Sequence, residues 1–580
     1  MNKYYTDEKH TAILIALLKA HGIRKVIASP GTTNITFVGS IQNDPYFEMY
    51  SSVDERSAAY IACGLAAESG EPVIITCTGA TASRNYLSGL TEAYYRKLPV
   101  LAITATQAVS KVGHHIAQVI DRSCMPNDVV RHSVTLPVVK DEDDVWDCEI
   151  KINRAILELR RHGGGPVHIN NPTTYSKSFG SKDLPQVRVI GRITQAGEFP
   201  AMPSGRIAVF IGSHHTMSQE QTEVLDRFCA SNNAVVFCDH TSSYKGKYRV
   251  LFALATCQKM FDGTGIIPDL MIHIGEVSGD YYNIRLAEKQ VWRISADGQI
   301  RDTFRRLRYV FEMPEESFFQ HYTDGDRKEN SGYLQTCNNK IEKLRSKIPD
   351  LPFSNIWIAS RIAGLIPENS TIHFGILNSL RSWNFFELPE SVISASNVGG
   401  FGIDGDVSSL FGASVFNKEK LYFGVVGDLA FFYDLNVLGN RHIGNNLRIL
   451  LVNNGKGSEF KLDGNPGSIF GEDTDKFISA GKHFGNQSRT LVKNYAQALG
   501  FEYFSASNKQ EFDEAYERFL TPEVTDRTMV FEVFTDTLYE NEALNLICSI
   551  EENVKGKAKK IARQILSDEN INAIKKIMGK

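Results

Sequence analysis

The stretch 424-GVVGDLAFFYDLN-436, followed by 447-LRILLVNNGKGSEF-460, carries most of the information about the fold. In both, an apolar run typical of a buried parallel strand ends in polar turn residues, Gly-Asp in the first and Asn-Asn-Gly in the second. The segment between them, 430-AFFYDLNVLGN-440, is predicted to be the crossover helix. If the two strands are neighbours in a parallel sheet, Asp428 and Asn454 lie together at its carboxyl edge.

Asp428 and Asn454 each offer a hard oxygen ligand, and the glycine-rich backbone beside Asn454 frees a main-chain carbonyl. Oxygen ligation suits Mg²⁺ better than zinc or copper. The turn and helix start after Asp428 would also present N–H groups to an anion. Each motif alone is ordinary turn chemistry, but two of them 26 residues apart with a helix between indicate a ligand. The pair predicts a diphosphate bridged to the protein by Mg²⁺.

Strand-like and helix-like segments alternate along the chain and divide it into three units. Helix-like segments cover 8–21, 54–70 and 81–97, and strand-like segments cover 72–79 and 98–104. The Gly-, Pro- and Ser-containing segment 176–205 is predicted to be a linker. The fold class is therefore α/β, with three tandem doubly wound parallel-sheet domains. The predicted domains are residues 1–185, 186–345 and 346–548, followed by a Lys-rich helical tail over 549–580.

Composition argues against several classes of protein. The chain has 580 residues, 42% of them hydrophobic, and a formal net charge of −4, which favours neither nucleic acid nor an anionic membrane as a partner. No apolar run is long enough to span a membrane, and the charged N-terminal segment is unlike a signal peptide. The nine cysteines form no CxxC pair. We expect a reduced, cytoplasmic enzyme.

Gly-Asp, a crossover of some 25 residues and Asn-Asn together resemble the diphosphate-binding motif of thiamine diphosphate-dependent enzymes. That family also has three α/β domains and a glutamate on a separate pyrimidine-binding domain. Glu55, in 53-VDERSAAYIACGLA-66, matches this glutamate at the start of a helix. The resemblance implies thiamine diphosphate and Mg²⁺ as cofactors, with 1–185 binding the pyrimidine ring and 346–548 the diphosphate. It also implies a homodimer or homotetramer in which two subunits complete each site.

A narrower resemblance covers nearly all of residues 1–545. The motifs that carry it are similar to those of the 2-succinyl-5-enolpyruvyl-6-hydroxy-3-cyclohexene-1-carboxylate synthases of menaquinone biosynthesis. They are SPGTTN (29–34), DERSAAYIACGLA (54–66), TCTGATASRN (76–85), NVGGFGIDGDVSS (397–409) and GDLAFFYDLN (427–436). The central domain resembles this family least.

The resemblance assigns roles residue by residue. Glu55 would hydrogen-bond the pyrimidine ring, and Ile403 would hold the cofactor folded so that its two rings meet. The metal ligands would be Asp428, Asn454 and the main-chain carbonyl of Lys456, where the relatives usually have glycine. The predicted cofactor-binding residues are Glu55, Thr78, Asn85, Gly402, Ile403, Gly427, Asp428, Leu429, Asn454 and Phe460.

Several positions depart from the family pattern. The synthases hold carboxylate substrates with arginines, because a guanidinium pairs with a carboxylate through two hydrogen bonds. Those places are occupied here by Thr33, Gln107, Val398 and Trp383, although Arg381 lies close to the last. Glu459 stands where relatives place an apolar residue beside the cofactor.

New polar groups accompany these losses. His114 and His115 resemble the histidine pair that serves as acid and base in 2-oxoacid decarboxylases, and histidine titrates near neutral pH. Gln118 matches a substrate-site glutamine of the synthases. The candidate catalytic residues are Glu55, His114, His115, Gln118 and Glu459.

These observations predict a C–C lyase or carboligase. It would decarboxylate a 2-oxo acid donor and transfer the acyl-anion equivalent to a carbonyl or enone acceptor, with a sugar or nucleotide-sugar ketone as one such acceptor. The alternatives are a simple 2-oxoacid decarboxylase, the menaquinone-pathway synthase itself, and a non-catalytic cofactor-binding scaffold.

Overall fold

The structure is a computed structural model, and it describes residues 4–323 and 332–551. The tail helix predicted over 549–580 lies outside the described residues from 552 onward. The chain divides into two compact units, one of residues 1–197 and 297–312 and the other of residues 198–296 and 313–580. Because this division gives two units and not three, the predicted boundaries of the three domains stay a prediction.

The strands are short, and every pair of neighbouring strands considered below is parallel. In chain order they are β1 Lys25–Ala28, β2 Glu48–Ser51, β3 Val73–Cys77, β4 Val100–Thr106, β5 His132–Thr135, β6 Val167–Pro172, β7 Gly191–Thr194, β8 Ile207–Ile211, β9 Ala234–Cys238, β10 Arg249–Leu251, β11 Leu270–Ile274, β12 Gln290–Ile294, β13 Leu307–Glu312, β14 Thr371–Phe374, β15 Ile393–Ser396, β16 Tyr422–Gly427, β17 Leu447–Asn453, β18 Glu502–Ala506 and β19 Met529–Phe534.

Helices separate most of these strands, as crossover connections between parallel strands require. In chain order the α-helices are α1 Lys9–Ala20, α2 Ile35–Ile41, α3 Glu55–Ser69, α4 Thr81–Asn85, α5 Leu87–Tyr95, α6 Glu142–Glu158, α7 Gln219–Asn232, α8 Ala253–Thr256, α9 Glu315–His321, α10 Gly332–Arg345, α11 Asn355–Ile362, α12 Asn378–Trp383, α13 Asp406–Ser414, α14 Asp428–Tyr433, α15 Thr474–Phe477, α16 Phe484–Gln487, α17 Leu491–Ala498, α18 Lys509–Phe519 and α19 Thr537–Ile547.

The first unit contains a six-stranded sheet in the order β2-β1-β3-β4-β6-β5, and β7 pairs with β13 in the same unit. Alternate residues of its strands belong to different apolar clusters. Val26 and Ile74 pack in one cluster, whereas Ile27 and Ile75 pack in the other. Because successive side chains of a strand point to opposite faces, the sheet is covered by helices on both sides. The predicted doubly wound fold is confirmed.

The second unit contains another six-stranded sheet, in the order β15-β14-β16-β17-β19-β18. Counted from its own first strand, this order is the same as in the first unit, so two sequences without obvious identity share one topology. The unit also contains strands in the order β10-β9-β8-β11-β12. As predicted, β16 and β17 are neighbours, with Gly427 opposite Val452. The residues that follow both strands therefore lie at one edge.

Local structure differs from the sequence prediction in three places. The helix predicted over 81–97 is broken after Asn85 into α4 and α5. The predicted linker 176–205 contains β7, whose apolar Ile193 supplies a buried position opposite β13. The crossover predicted as one helix over 430–440 is α14 followed by a 3-10 turn over Leu435–Gly439. Among the described residues, none of the helices combines the length and the apolar character needed to cross a membrane.

Candidate active site

Asp428 is the first residue of α14 and follows β16 directly. Its side chain is only 3% exposed. Oδ1 accepts a hydrogen bond from the main-chain N–H of Leu429 at 2.9 Å, while the buried Oδ2 has no partner among the described residues. Burial raises the pKa of Asp428 to about 7. A buried carboxyl with an unpaired oxygen is costly unless a cation or a proton satisfies it.

Asn454 follows β17 and faces the same cavity as Asp428. Its amide donates to Ser458 Oγ at 3.2 Å, which leaves its carbonyl oxygen to accept a long contact of 3.4 Å from the N–H of Lys456. The cavity has a volume of about 400 Å³. Nine predicted residues contact it, namely Gly402, Ile403, Gly427, Asp428, Leu429, Asn454, Lys456, Glu459 and Phe460.

The side chain of Lys456 turns to a different partner. Nζ of Lys456 lies 2.6 Å from Oδ2 of Asp475, and Nζ of Lys461 lies 2.7 Å from Oδ1 of the same carboxylate. Burial alone would raise the pKa of Asp475, but the hydrogen bonds from Lys456 and Lys461 outweigh it and hold the pKa at about 2. A lysine in place of glycine is therefore accommodated here, because its charge is neutralised by Asp475.

The donor set fits a hard divalent cation. Asp428 supplies an orphaned carboxylate oxygen, Asn454 an amide oxygen and the Lys456 segment main-chain carbonyls, which are the ligands that Mg²⁺ takes. No group of three or more His, Cys, Asp or Glu suited to a metal occurs within residues 4–323 and 332–551. The oxygen donors at Asp428 are instead a mixture of carboxylate, amide and main-chain groups.

The cavity also holds two acidic residues that the sequence did not single out. Asp406, on α13, is fully buried, and neither of its carboxyl oxygens has a partner in the described part of the chain. Burial, together with the nearby Asp434 carboxylate, raises the pKa of Asp406 to about 7. Burial also raises the pKa of Glu540 to about 7, although its carboxyl accepts the Asn355 N–H at 3.0 Å. Asp406 lies in the first turn of a helix and Glu540 also lies in a helix, where acidic residues are common. The local sequence therefore does not mark either residue as part of a functional site.

Glu459 is paired with a buried arginine. Its carboxylate accepts hydrogen bonds from both terminal nitrogens of Arg381, one of them at 3.4 Å. Trp383, two residues along α12, is fully buried and donates its indole N–H to Asn355 at 3.2 Å. The family pattern predicts an arginine at position 383. In this protein the guanidinium beside the cavity belongs to Arg381 instead.

The first unit gathers its predicted residues around the turn after β3. Gly31 approaches Thr78 so closely that a Cβ at position 31 would lie 1.8 Å from Thr78 Cγ2. The N–H of Gly79 donates to Thr33 Oγ1 at 3.3 Å, and a Cβ on Gly79 would lie 2.8 Å from the carbonyl oxygen of Gln118. Three separate loops therefore meet at one edge of the first sheet.

Glu55 is the first residue of α3. Asp54 caps this helix by accepting from the N–H of Arg56 at 3.1 Å and from the hydroxyl of Ser57 at 2.7 Å. Nδ2 of Asn85 donates to Oε2 of Glu55 at 3.3 Å. The structure therefore brings Glu55 and Asn85 together.

The remaining first-unit candidates are exposed or engaged elsewhere. His114, His115 and Gln118 are exposed to solvent, and His115 and Gln118 adopt positive φ angles of 56° and 64°. Gln107 is buried, where it donates to Tyr175 Oη at 3.0 Å and accepts from Lys111 Nζ at 2.7 Å.

Fold and site together define a class of protein: two sheets of one topology, one carrying an acid at a helix start and the other a carboxylate–amide pair at its edge. A family model described as "Thiamine pyrophosphate enzyme, N-terminal TPP binding domain" matches residues 9–125. The chain belongs to the thiamine diphosphate-dependent enzymes, as the sequence motifs predicted.

Curated relatives narrow the class further. The chain is 31% identical to a protein of Bacteroides fragilis over 552 residues, which are 92% of this chain and 97% of the relative. It is also 31% identical to one of Phocaeicola vulgatus, with 92% and 96% covered, and 27% identical to one of Flavobacterium johnsoniae, with the same coverage. Each is named 2-succinyl-5-enolpyruvyl-6-hydroxy-3-cyclohexene-1-carboxylate synthase. Similarity of this kind over nearly the whole length confirms the resemblance predicted from the motifs.

Proposed function

We propose that this protein is a thiamine diphosphate- and Mg²⁺-dependent carboligase that decarboxylates a 2-oxo acid and joins the remaining acyl group to an acceptor. The reaction to test first is the one for which its relatives are named, the formation of 2-succinyl-5-enolpyruvyl-6-hydroxy-3-cyclohexene-1-carboxylate. The observation that carries the proposal is the buried, unpaired Oδ2 of Asp428 beside Asn454 in a cavity of about 400 Å³.

Thiamine diphosphate, when bound, supplies a carbanion that adds to a carbonyl and a ring that then accepts the electron pair released on decarboxylation. Asp428, Asn454 and the carbonyl of Lys456 would hold the Mg²⁺ that neutralises the diphosphate. Ile403, which lines the cavity, would support the folded cofactor from below. Glu55 would hold a proton at a ring nitrogen of the pyrimidine, and Asn85 orients that carboxylate through its hydrogen bond.

We propose a homodimer or a homotetramer in which the Glu55 edge of one subunit and the Asp428 cavity of another form each site. Exposed apolar side chains occur near Glu55 in the sequence and on its helix, and they support this assembly. Val53 is 79% exposed, and Tyr60 and Ile61 on α3 are each about half exposed. Apolar surface of this kind is typical of a face that another subunit covers.

The residues at the positions where the synthases are expected to carry arginine favour a second form of the same chemistry. Val398 and Trp383 are buried in one apolar cluster, and Thr33 accepts from Gly79. None of these side chains carries a charge for a carboxylate. A different acceptor, such as the ketone of a sugar or of the sugar moiety of a nucleotide-sugar, would be bound there through hydrogen bonds to its hydroxyl groups, and Gln118 with His114 and His115 would supply them.

The test is an assay of loaded protein with pyruvate or 2-oxoglutarate, each with and without isochorismate and with ketose acceptors. Mass spectrometry detects the coupled product and a CO₂ assay detects decarboxylation. The named product from 2-oxoglutarate and isochorismate supports the first form, and coupling only to ketoses supports the second. CO₂ release without any acceptor would favour a simple decarboxylase. No turnover, together with intact cofactor binding, would overturn the proposal in favour of a scaffold.

A further inference from the structure

The ion pair between Arg381 and Glu459 stands at the wall of the cofactor cavity. Glu459 lines that cavity, and the side chains of Arg381 and Glu459 are 11% and 20% exposed. We propose that this pair selects the donor, because Glu459 neutralises Arg381 and so favours a 2-oxo acid with an uncharged side chain over one with a second carboxylate. This inference rests on the proposed carboligase chemistry and argues against its first form, which takes 2-oxoglutarate as the donor.

The hydrogen bonds of Arg381 show that Glu459 is its principal partner. Both Nη atoms donate to the Glu459 carboxylate, and Nη2 also lies 3.2 Å from Asn378 Oδ1. Nε is buried and has no partner among the described residues. The two Nη donors of a guanidinium together bind one carboxylate end-on, and Glu459 already occupies that position.

The surroundings of Arg381 contain further acidic side chains. The carboxyls of Asp280 and Glu540 and the phenols of Tyr281 and Tyr282 all lie close enough for the Arg381 charge to lower their pKa values, although burial raises each of them overall. An incoming carboxylate would therefore meet Arg381 already paired with Glu459, and other acids nearby.

Glu459 is held in place from the metal side of the cavity. Its neighbour Ser458 accepts hydrogen bonds at Oγ from Asn378 Nδ2 at 2.7 Å and from Asn454 Nδ2 at 3.2 Å. A dicarboxylic donor would have to displace Glu459 from Arg381 while Ser458 stays fixed. Removing one partner from a partly buried ion pair leaves an unpaired charge and is strongly unfavourable, whereas an uncharged donor leaves the pair intact.

The test measures donor binding in a background that cannot turn the donor over. Protein carrying Glu55→Gln, loaded with thiamine diphosphate and Mg²⁺, is titrated by calorimetry with pyruvate and with 2-oxoglutarate, and the same is done after adding Glu459→Gln. Without the second change we expect pyruvate to bind more tightly. With it, we expect affinity for 2-oxoglutarate relative to pyruvate to rise about tenfold or more, the size of one charge-assisted hydrogen bond.

Two controls accompany this measurement. Glu502→Gln breaks the exposed Arg518–Glu502 pair of the same unit, outside the cavity lining, and is expected to leave the affinity ratio unchanged. Arg381→Gln combined with Glu459→Gln is expected to remove the gain for 2-oxoglutarate, because no guanidinium remains. Thermal unfolding of each variant verifies that it is folded. If Glu459→Gln is not folded, Glu459→Ala takes its place.

An unchanged affinity ratio in Glu459→Gln, or tighter binding of 2-oxoglutarate than of pyruvate before that change, would overturn the inference. The proposed function fails separately, by absence of CO₂ release when Glu55 is intact. The binding ratio is measured whether or not turnover occurs, so the two failures are distinguishable.

Discussion

Glu55 in the first unit and Asp428 in the second are acids at helix starts in sheets of the same topology, yet their surroundings differ. Asp428 is 3% exposed, and its pKa is raised to about 7 by burial. Glu55 is only partly buried, receives one hydrogen bond from Asn85 and lies beside exposed apolar side chains. The Asp428 edge is a cavity with a buried, unpaired carboxylate oxygen, while Glu55 lies at the surface of the first unit.

The difference indicates separate tasks. A buried carboxylate with an unpaired oxygen is unfavourable, so in the proposed function Asp428 would couple folding free energy to the binding of metal and cofactor. In its proposed role Glu55 would need only one oriented oxygen, and the Asp54 cap with Asn85 would provide that orientation without burial. Binding is therefore expected to depend on the second unit and proton transfer on the first.

Replacing the first-unit acid gives the largest expected effect. Glu55→Gln should lower the rate of H/D exchange at C2 of bound thiamine diphosphate by about 10²- to 10⁴-fold, because the amide cannot hold the proton that the carboxylate holds. Mg²⁺-dependent cofactor binding should change little. NMR measures the exchange, and Glu68→Gln, at the exposed end of the same helix, is the control. Unchanged exchange in Glu55→Gln would remove the assigned role.

Replacing the second-unit acid should affect binding instead. Asp428→Asn is expected to weaken Mg²⁺-dependent binding of thiamine diphosphate by about 100-fold or more, because a charged ligand is lost from a buried site. Tryptophan fluorescence titration measures the affinity, and Asp526→Asn, at an exposed position of the same unit, is the control. Wild-type affinity in Asp428→Asn would show that the diphosphate binds elsewhere.

Mixing the two variants tests whether the two edges cooperate between subunits. If each site takes Glu55 from one subunit and Asp428 from another, a mixed dimer has one site with both defects and one with neither. Co-expression with different tags and random pairing should then restore C2 exchange to about a quarter of the wild-type rate. No restoration in purified mixed oligomers would place both residues of each site on the same chain.

How far the sequence predicted these two edges depends on the range of the interactions. Asp428 and Asn454 followed from strand ends and a crossover of suitable length, which are local features, and β16 and β17 are neighbours as expected. Glu55 followed from resemblance, because its own surroundings explain a helix-starting acid equally well. The fold class was predictable as well, because the spacing of apolar residues that distinguishes strands from helices is also a local feature of the sequence.

The unpredicted part consists of side-chain partners far apart in the chain. Arg381 and Glu459 are separated by 78 residues, and nothing near either one indicates the other. Asp406 lies in GIDGDVSS, where an acid in the first turn of a helix needs no explanation, yet its oxygens are buried without partners. Lys456 looked like a departure from a glycine, but Asp475, 19 residues away, accounts for its charge.

The acids of the cavity also predict how stability depends on pH. Burial and the neighbouring Asp434 carboxylate raise the pKa of Asp406 to about 7 in the folded protein, against about 4 when unfolded. Between these values the folded state binds the extra proton, so the free energy of unfolding of the cofactor-free protein should fall as pH rises from about 4 to about 7 and level off above.

Asp406→Asn tests that sign. The variant should lack this part of the pH-dependent loss and be more stable than the wild type at pH 8 by about 1 to 3 kcal/mol, because an uncharged amide replaces a buried charge. Urea unfolding at several pH values measures it. Asp513→Asn, in the exposed pair with Arg361, is the control. A variant whose pH dependence equals that of the wild type would show that Asp406 does not carry this proton.

The smallest expected effect concerns Lys456, whose proposed role at the Asp428 edge is that of its main-chain carbonyl. Lys456→Ala removes one of two ammonium groups that bind Asp475, so we expect a stability loss of about 1 to 2 kcal/mol in urea unfolding. The affinity for thiamine diphosphate should change by less than about threefold, since a main-chain carbonyl survives the substitution.

Lys461→Ala is the matched control for Lys456→Ala, because Lys461 binds the other oxygen of the same carboxylate and does not line the cavity. The two variants should lose similar stability and keep similar cofactor affinity. Burial alone would raise the pKa of Asp475, but its two lysine partners lower it, so their stabilising contribution is present above about pH 4 and is lost as pH falls towards 2. If Lys456→Ala lost cofactor affinity about 100-fold while Lys461→Ala did not, the ammonium group and not the carbonyl would serve the diphosphate. The Asp428 edge would then depend on side-chain charge, as the Glu55 edge does.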